Sequence, residues 1–108
     1  MMVALVQDLF FAARVESLAK ASAISAQVTT TSEEFVSWVQ EMEPSHVLLD
    51  LNMVTDEILA VVARVPHVAG FGPHVQREQF LKARQRGVRT LWANSALPDH
   101  LPGWLLQS

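Results

Sequence analysis

The sequence predicts a doubly wound α/β fold, in which helices cover both faces of one parallel sheet. Five short apolar runs suited to buried strands alternate with segments whose apolar residues recur at helical spacing. Such nearly continuous apolar runs are typical of parallel strands that are covered on both faces. Because strand and helix alternate along the chain, consecutive strands are expected to be parallel and joined by right-handed crossovers. The predicted strands are residues 2–6, 24–28, 46–51, 67–71 and 88–92.

Length and composition fit one small folded domain. The chain has 108 residues, half of them apolar, and its formal net charge is −3 at pH 7. This size accommodates a single core, so we expect residues 1–108 to form one domain. The absence of cysteine excludes disulfides, thiolate nucleophiles and cysteine-bound zinc. No run approaches the roughly 20 apolar residues that span a bilayer, and we expect a cytoplasmic protein without nucleic-acid or membrane partners.

The amino-terminal half carries start and stop signals for two helices. Asp8 follows the first strand at a capping position, and Phe11 and Val15 then repeat at helical spacing. The second strand is more polar, which indicates an edge position. A capping box that begins at Thr31 opens the second helix, and Pro44 ends it. The predicted buried stripe of this helix is Phe35, Trp38, Val39 and Met42.

Similar signals define the carboxy-terminal half. Thr55 is predicted to cap a third helix with an acidic first turn, and Pro66 stops it. The fourth helix is predicted over about residues 74–86 and ends at Gly87. Ser95 is expected to cap a final helix, which its prolines leave short or broken. The side chains predicted to hold this segment to the sheet are Leu97, Leu101, Trp104 and Leu105.

Two carboxylates are predicted to meet at one edge of the sheet. In the strand order 2-1-3-4-5 of flavodoxin-like folds, ligands bind beyond the carboxyl ends of strands one and three. Asp8 follows strand one, and Asp50 closes the third strand, where a buried carboxylate needs a partner. One interpretation is a weak Mg²⁺ site shared by Asp8 and Asp50. In the other, Asp8 caps the first helix and Asp50 accepts hydrogen bonds from nearby backbone amides.

This order of segments resembles the receiver domains of bacterial response regulators, over nearly the whole chain. The phospho-acceptor of that family matches Asp50, and the residue whose backbone carbonyl binds metal matches Asn52. The family's two acids after strand one correspond to Gln7 and Asp8, so an amide replaces one carboxylate. The resemblance implies a three-layer sandwich with an acidic pocket of Asp8 and Asn52 beside Asp50. Two short sequence segments also resemble those of stand-alone receiver-like bacterial proteins. They are residues 8–11 and 70–75.

Two further family residues are replaced in this chain. The Ser or Thr at the end of strand four corresponds to Phe71 or Gly72, and the Lys after strand five corresponds to Asn94. Phosphoryl transfer depends on neutralising charge over the transferred oxygens, and an asparagine brings no charge. We therefore expect a non-enzymatic regulatory or protein-binding module with an incomplete phosphorylation site. The alternative is an atypical but active receiver that uses Asp50 with a divalent cation.

A second candidate site lies where the fourth helix is predicted to open. Gly72 and His74 flank Pro73 there, so free amides and a protonated imidazole could bind an anion. A small-ligand domain built on this site is a third functional class. A tight turn is the simpler interpretation, because the segment lacks the Lys and Ser/Thr of a phosphate-binding loop. The four histidines show no metal-binding spacing, so no metal site built on them is expected. Apart from weak Mg²⁺ binding, we expect no cofactor.

Basic residues are concentrated in the fourth helix and the strand after it. Arg77 and Arg84 belong to this group, in which Glu78 is the single acid. Such a run is usually a solvated helix face, but it also fits an acidic protein partner. Receiver domains commonly dimerise near the fifth strand and last helix. The resemblance thus implies a partner or homodimer surface of Arg77, Arg84, Trp92 and Trp104. In the alternative, both tryptophans fill the carboxy-terminal core.

Overall fold

The computed structural model describes residues 1–73 and 77–108, and a five-stranded parallel sheet forms its centre. The strands are β1 (Met2–Leu5), β2 (Ala26–Thr29), β3 (His46–Asp50), β4 (His67–Gly72) and β5 (Thr90–Ala93). Their order in the sheet is β2-β1-β3-β4-β5, and each neighbouring pair is parallel. The predicted fold class and strand order are therefore confirmed, with the polar second strand at one edge.

Helices cover both faces of this sheet. They are α1 (Leu9–Ala21), α2 (Ser32–Met42), α3 (Asp56–Val61), α4 (Arg77–Gln85) and α5 (Leu97–Leu105), and a 3₁₀ turn (Leu51–Met53) follows β3. Met2 and Ala4 of β1 pack in the core beneath α1 and α5, whereas Val3 and Leu5 pack beneath α2 and α3. This alternation is expected of a strand whose successive side chains point to opposite faces. Both faces of the central strands are thus buried, as the apolar runs predict.

Thr31 is the N-cap residue of α2, as predicted, but the hydrogen bonds at this helix start differ from the prediction. The capping box at Thr31 is not formed among the described residues, because the backbone amide of Thr31 donates to Thr29 Oγ1 at 3.1 Å. The two threonine hydroxyl oxygens lie 3.4 Å apart, which turns the Thr31 side chain towards β2. Phe35 and Val39 are buried as predicted, but Met42 is 36% exposed because the helix ends there.

The last helix is longer and more regular than the sequence predicts. Its N-cap residue is Ala96, so the predicted cap at Ser95 is wrong. Pro98 lies in the first turn, where a missing amide costs little, and Pro102 lies inside a continuous helix of nine residues. Pro102 removes one backbone hydrogen bond, but burial of the apolar side chains on either side of it stabilises the helix. The four side chains predicted to hold this segment, Leu97, Leu101, Trp104 and Leu105, are all buried.

The turn after α4 determines where β5 begins. Gly87 adopts the left-handed conformation with φ of 100°, which supports its predicted role as the stop of α4. The backbone amide of Val88 donates to the Ala83 carbonyl at 3.0 Å and closes the helix end. Because Val88 is used in this way, the strand starts at Thr90 instead of at residue 88. β5 is therefore shorter at its amino-terminal end than predicted.

Candidate functional site

Asp50 ends β3 at the carboxyl edge of the sheet, and its side chain is 6% exposed. Its Oδ2 accepts a hydrogen bond from the backbone amide of Gln7 at 3.0 Å. Its Oδ1 accepts one from the backbone amide of Asn52, also at 3.0 Å. Two backbone donors thus satisfy a buried carboxylate, which offsets the cost of removing it from water. This arrangement agrees with the interpretation of the sequence in which Asp50 accepts hydrogen bonds from nearby backbone amides.

Asp8 lies on the loop between β1 and α1 and caps that helix. Its Oδ1 accepts hydrogen bonds from the amides of Phe10 at 2.7 Å and Phe11 at 3.3 Å. These amides have no partner inside the helix, and a carboxylate there also opposes the positive end of the helix dipole. The capping role predicted for Asp8 is confirmed. Residues 1–73 and 77–108 contain no group of three or more His, Asp or Glu side chains that could hold a metal.

An aromatic ring occupies the strand position next to Asp50. Phe71 of β4 is paired with Asp50 across the sheet, at the place where the resemblance implies a hydroxyl. Its ring stacks on that of Phe11, with the centroids 5.1 Å apart and the planes 22° from parallel. Both rings belong to the core beneath α1 and α5. Phe71 is therefore held by packing and offers no polar group to a ligand of Asp50.

Three further polar residues at this edge carry amide side chains, and all three residues are exposed to solvent. Gln7 follows β1, Asn52 lies in the 3₁₀ turn, and Asn94 follows β5. The backbone amide of Asn94 donates to the Gly72 carbonyl at 2.9 Å, which fixes it just beyond β5. The structure thus brings Asn52 and Asn94 to the same edge as Asp50. The groups at the positions of the receiver site are one buried carboxylate, one capping carboxylate and three amides.

The predicted anion site is only partly covered by the described residues. Gly72 is the last residue of β4 and is buried. A Cβ atom at this position would lie 3.5 Å from Phe80 Cε1, an ordinary contact distance. His74 belongs to residues 74–76, which lie outside the described part of the chain. The site at Gly72 and His74 stays a prediction from sequence.

The outer face of α4 presents two of the predicted partner residues. Arg77 and Arg84 are exposed, and they lie seven positions apart, on one face of the helix. Leu81 lies between them on the same face and is 58% exposed. The spacing of Leu81 from the two arginines is the sequence signal for its place on this face. An apolar side chain flanked by two arginines is thus exposed to solvent.

The two tryptophans proposed for the partner surface are not equivalent. Trp92 of β5 is half-buried and stacks on His100 at a centroid distance of 5.9 Å. Trp104 is 4% exposed and meets the rings of Trp92 and His46 edge-on, at 5.5 Å and 4.8 Å. The prediction of Trp104 as a surface residue is wrong, because the inner face of α5 carries it into the core. The alternative assignment to the carboxy-terminal core is confirmed for this residue.

A second exposed apolar surface, not predicted from the sequence, lies beside Asp8. Leu9 and Phe10 in the first turn of α1 are largely exposed, whereas the following Phe11 packs inward. Large apolar side chains that are adjacent and exposed often mark contact sites. The helical spacing of Phe11 and Val15 is the signal that could have placed Leu9 and Phe10 outside the buried stripe.

A pair of stacked histidines lies at the opposite, amino-terminal edge of the sheet. His46 and His67 are the first residues of β3 and β4, and they are paired in register. Their rings stack with centroids 4.5 Å apart. His46 Nε2 donates to the Trp104 carbonyl at 3.1 Å, so the neutral ring accepts at Nδ1 from the Ser45 hydroxyl, 2.8 Å away. The sequence already indicated this pair, because the third and fourth strands were each predicted to begin at a histidine.

We expect protein stability to fall as acidification charges the buried His46. Burial lowers the pKa of His46, the neighbouring His67 and the Met1 amine lower it further, and the Trp104 and Gln107 carbonyls act in the opposite direction. The folded state therefore binds this proton less readily than the unfolded chain. The stabilising contribution is complete above the ordinary pKa of about 6.5 and is lost progressively as the pH falls below it.

Urea denaturation between about pH 7.5 and pH 5.5 measures this effect. The free energy of unfolding of the wild type should fall across this range, and that of His46→Gln should fall less. His100→Gln serves as the matched control, because His100 is an exposed residue and its loss should preserve the wild-type pH dependence. Identical pH dependence in the wild type and in His46→Gln would contradict the prediction.

Among the helices that the structure describes, none is both long enough and apolar enough to cross a membrane.

Comparison with solved structures identifies the architecture. A response regulator receiver protein from Burkholderia phymatum matches with a TM-score of 0.78 and 18% identity, over 99% of this chain and 95% of that one. The signal receiver domain of a putative Luxo repressor protein from Vibrio parahaemolyticus matches with 0.76 and 14%, over 96% and 88%. A response regulator receiver domain from Rhodospirillum rubrum matches with 0.74 and 16%, over 99% and 94%. No protein-family model and no curated protein matches the chain. The chain therefore has the fold of response regulator receiver domains.

Proposed function

We propose that this chain is a receiver-like regulatory module that acts through protein contacts and does not transfer phosphoryl groups. The observation that carries this proposal is the environment of Asp50, whose two oxygens accept hydrogen bonds from the Gln7 and Asn52 amides. A phospho-acceptor needs an oxygen that can attack phosphorus and meet a cation. In our proposal both oxygens instead hold the backbone of the segments that follow β1 and β3.

The charge around Asp50 supports the same proposal. Phosphoryl transfer is catalysed mainly by positioning and by charges that stabilise the transferred oxygens. The residues at the matching positions are Gln7, Phe71 and Asn94, none of which carries a charge. A cation would have to rely on Asp8 and Asp50, and both already serve as hydrogen-bond acceptors of backbone amides. We therefore assign Asp50 a structural role, with any Mg²⁺ binding being weak.

The outer face of α4 is the proposed contact surface of this module. Arg77, Leu81 and Arg84 present an apolar side chain between two cations, and Trp92 of the neighbouring strand is half-buried. Arginine and aromatic side chains are frequent anchors of protein interfaces, and flanking charges select an oppositely charged surface. The occupant is an acidic protein partner or a second copy of this chain, in the cytoplasm. Neither nucleic acid nor a membrane is part of the proposal.

An active phospho-acceptor of atypical kind is the second candidate function. The position of Asp50 favours it, because this residue ends the middle strand of a receiver fold. Asp8 lies on the loop after β1, the strand beside β3. Asp50 accepts a hydrogen bond from the backbone amide of Gln7, the residue that precedes Asp8. In this alternative, a divalent cation bound by the two carboxylates would activate Asp50.

Intact-mass spectrometry after incubation with acetyl phosphate and Mg²⁺ distinguishes the two functions. We expect no phosphoryl adduct on the wild type, on Asp50→Asn or on Asp8→Asn. An adduct on the wild type that disappears in Asp50→Asn would overturn the proposal and establish the atypical receiver. Loss of that adduct in Asp8→Asn as well would assign Asp8 to the cation site.

A further inference from the structure

A cleft of about 500 Å³ opens at the amino-terminal edge of the sheet, away from Asp50. It lies between the end of α3, the start of β4 and the turn from α4 to β5, and we call it the basal cleft. The first residue of β5, Thr90, pairs with Ala69. His67 and Val68 of β4 pair with β3 but have no paired residue in β5 within the described sheet. The late start of β5 thus leaves the notch that forms this cleft.

The floor of the basal cleft is apolar. Leu59, Val62 and Val65 line it from α3 and the segment after it, Val68 from β4, and Val88 from the turn before β5. Val62 and Val88 are almost completely buried, so the floor is part of the packed core. Leu59, Val65 and Val68 are only partly buried, so an apolar group lying on them would remove further hydrocarbon surface from water, which is favourable.

The rim of the basal cleft is basic. Arg86, Arg89 and His67 line it, and no Asp or Glu belongs to its lining. The whole chain has a net charge of −3, so this basic group is a local feature. Arg86 pairs with Asp56, which ties the end of α4 to the start of α3. Among the described residues, Arg89 has no paired carboxylate and is exposed at the rim.

We propose that the basal cleft binds a small organic anion that combines an apolar body with one carboxylate or phosphate group. The cleft has the volume of a small-molecule site, and its lining combines apolar side chains with polar and charged groups. The apolar body lies on the valine and leucine floor, and the acid group pairs with Arg89. A guanidinium group suits either acid, because its planar fork matches both carboxylate and phosphate oxygens. This site is separate from Asp50 and does not depend on its phosphorylation.

An NMR titration of ¹⁵N-labelled protein tests this proposal, with hexanoate and phenyl phosphate as the probes. Val88 and Trp104 line the cleft, so the Val88 amide and the Trp104 indole N–H are the reporters, and the Val15 amide of α1, which lies outside the lining, is the reference. At least one probe should give saturable shifts at Val88 and Trp104, with a dissociation constant of about 1 mM or below. Arg89→Gln should weaken this binding about tenfold. Arg14→Gln, at an exposed position of α1 outside the cleft lining, is the matched control and should leave it unchanged.

The two probes separate the possible acid groups. Binding of hexanoate alone assigns a carboxylate ligand, and binding of phenyl phosphate alone assigns a phosphate ligand. The proposal requires both an apolar body and an acid group. It would be overturned if hexanol bound as tightly as hexanoate, or if inorganic phosphate bound as tightly as phenyl phosphate. An absence of saturable shifts with both probes up to about 10 mM would overturn the site itself. An unchanged affinity in Arg89→Gln would equally contradict the proposal.

Discussion

Replacing Trp104 with alanine should lower the free energy of unfolding by about 3–5 kcal/mol, the range for deleting a large aromatic side chain from a core. Trp104 is 4% exposed and contacts the rings of Trp92 and His46. Its neighbours belong to strands held in register by the sheet, so they cannot move far enough to fill the space. The loss should be visible in urea denaturation followed by circular dichroism.

The matched control for this substitution is Leu106→Ala. Leu106 lies two positions further along the chain but is 71% exposed, so its truncation should change stability by less than about 0.5 kcal/mol. If Trp104→Ala were no more destabilising than Leu106→Ala, Trp104 would not belong to the core. The interpretation of Trp104 as a partner-contact residue would then have to be restored.

Asp50→Asn should lower the free energy of unfolding by about 1–3 kcal/mol, the cost of leaving a buried donor without its acceptor. Asp50 presents two oxygens to two backbone amides, those of Gln7 and Asn52. Asparagine keeps one oxygen, and its amino group faces the other backbone donor. One of the two hydrogen bonds is therefore lost at a partly buried site.

Asp8→Asn is the matched control for Asp50→Asn. Asparagine caps a helix about as well as aspartate, so this exposed substitution should change stability by less than about 0.5 kcal/mol. If Asp50→Asn were neutral or stabilising, the carboxylate would not be held for its hydrogen bonds. That outcome would favour the active phospho-acceptor, and it is independent of the mass measurement.

The hydrophobic pattern was sufficient to predict the architecture. Apolar runs at the strand positions and helical spacing between them identified the sheet and its covering helices, because each periodicity is a local property of the chain. Gly87 ends α4 because it adopts the left-handed backbone conformation. Thr55 begins α3 because its hydroxyl accepts a hydrogen bond from the amide of Ile58, three residues further on. Both signals are local. These signals needed no knowledge of distant residues.

Two predicted side-chain caps, at Thr31 and at Ser95, are not formed among the described residues. The pattern at Thr31 predicted a capping box, but Thr29 in the preceding strand binds the Thr31 backbone and lies next to its hydroxyl. At α5, the turn after β5 places Ala96 at the N-cap position instead of Ser95. A capping motif states which residues are able to cap, whereas the path of the backbone selects the residue that does.

The doubly wound fold and the place of Asp50 at the end of β3 could be predicted from the sequence, which left open whether Asp8 caps α1 or shares Mg²⁺ with Asp50. The three-dimensional arrangement resolved what these residues contact. It showed that the partner of Asp50 is the amide of Gln7, 43 positions away, and that Trp104 faces inward. It also revealed the basal cleft, whose walls come from separate segments of the chain. Local patterning specifies elements, but contacts between distant segments depend on register and on where each element ends.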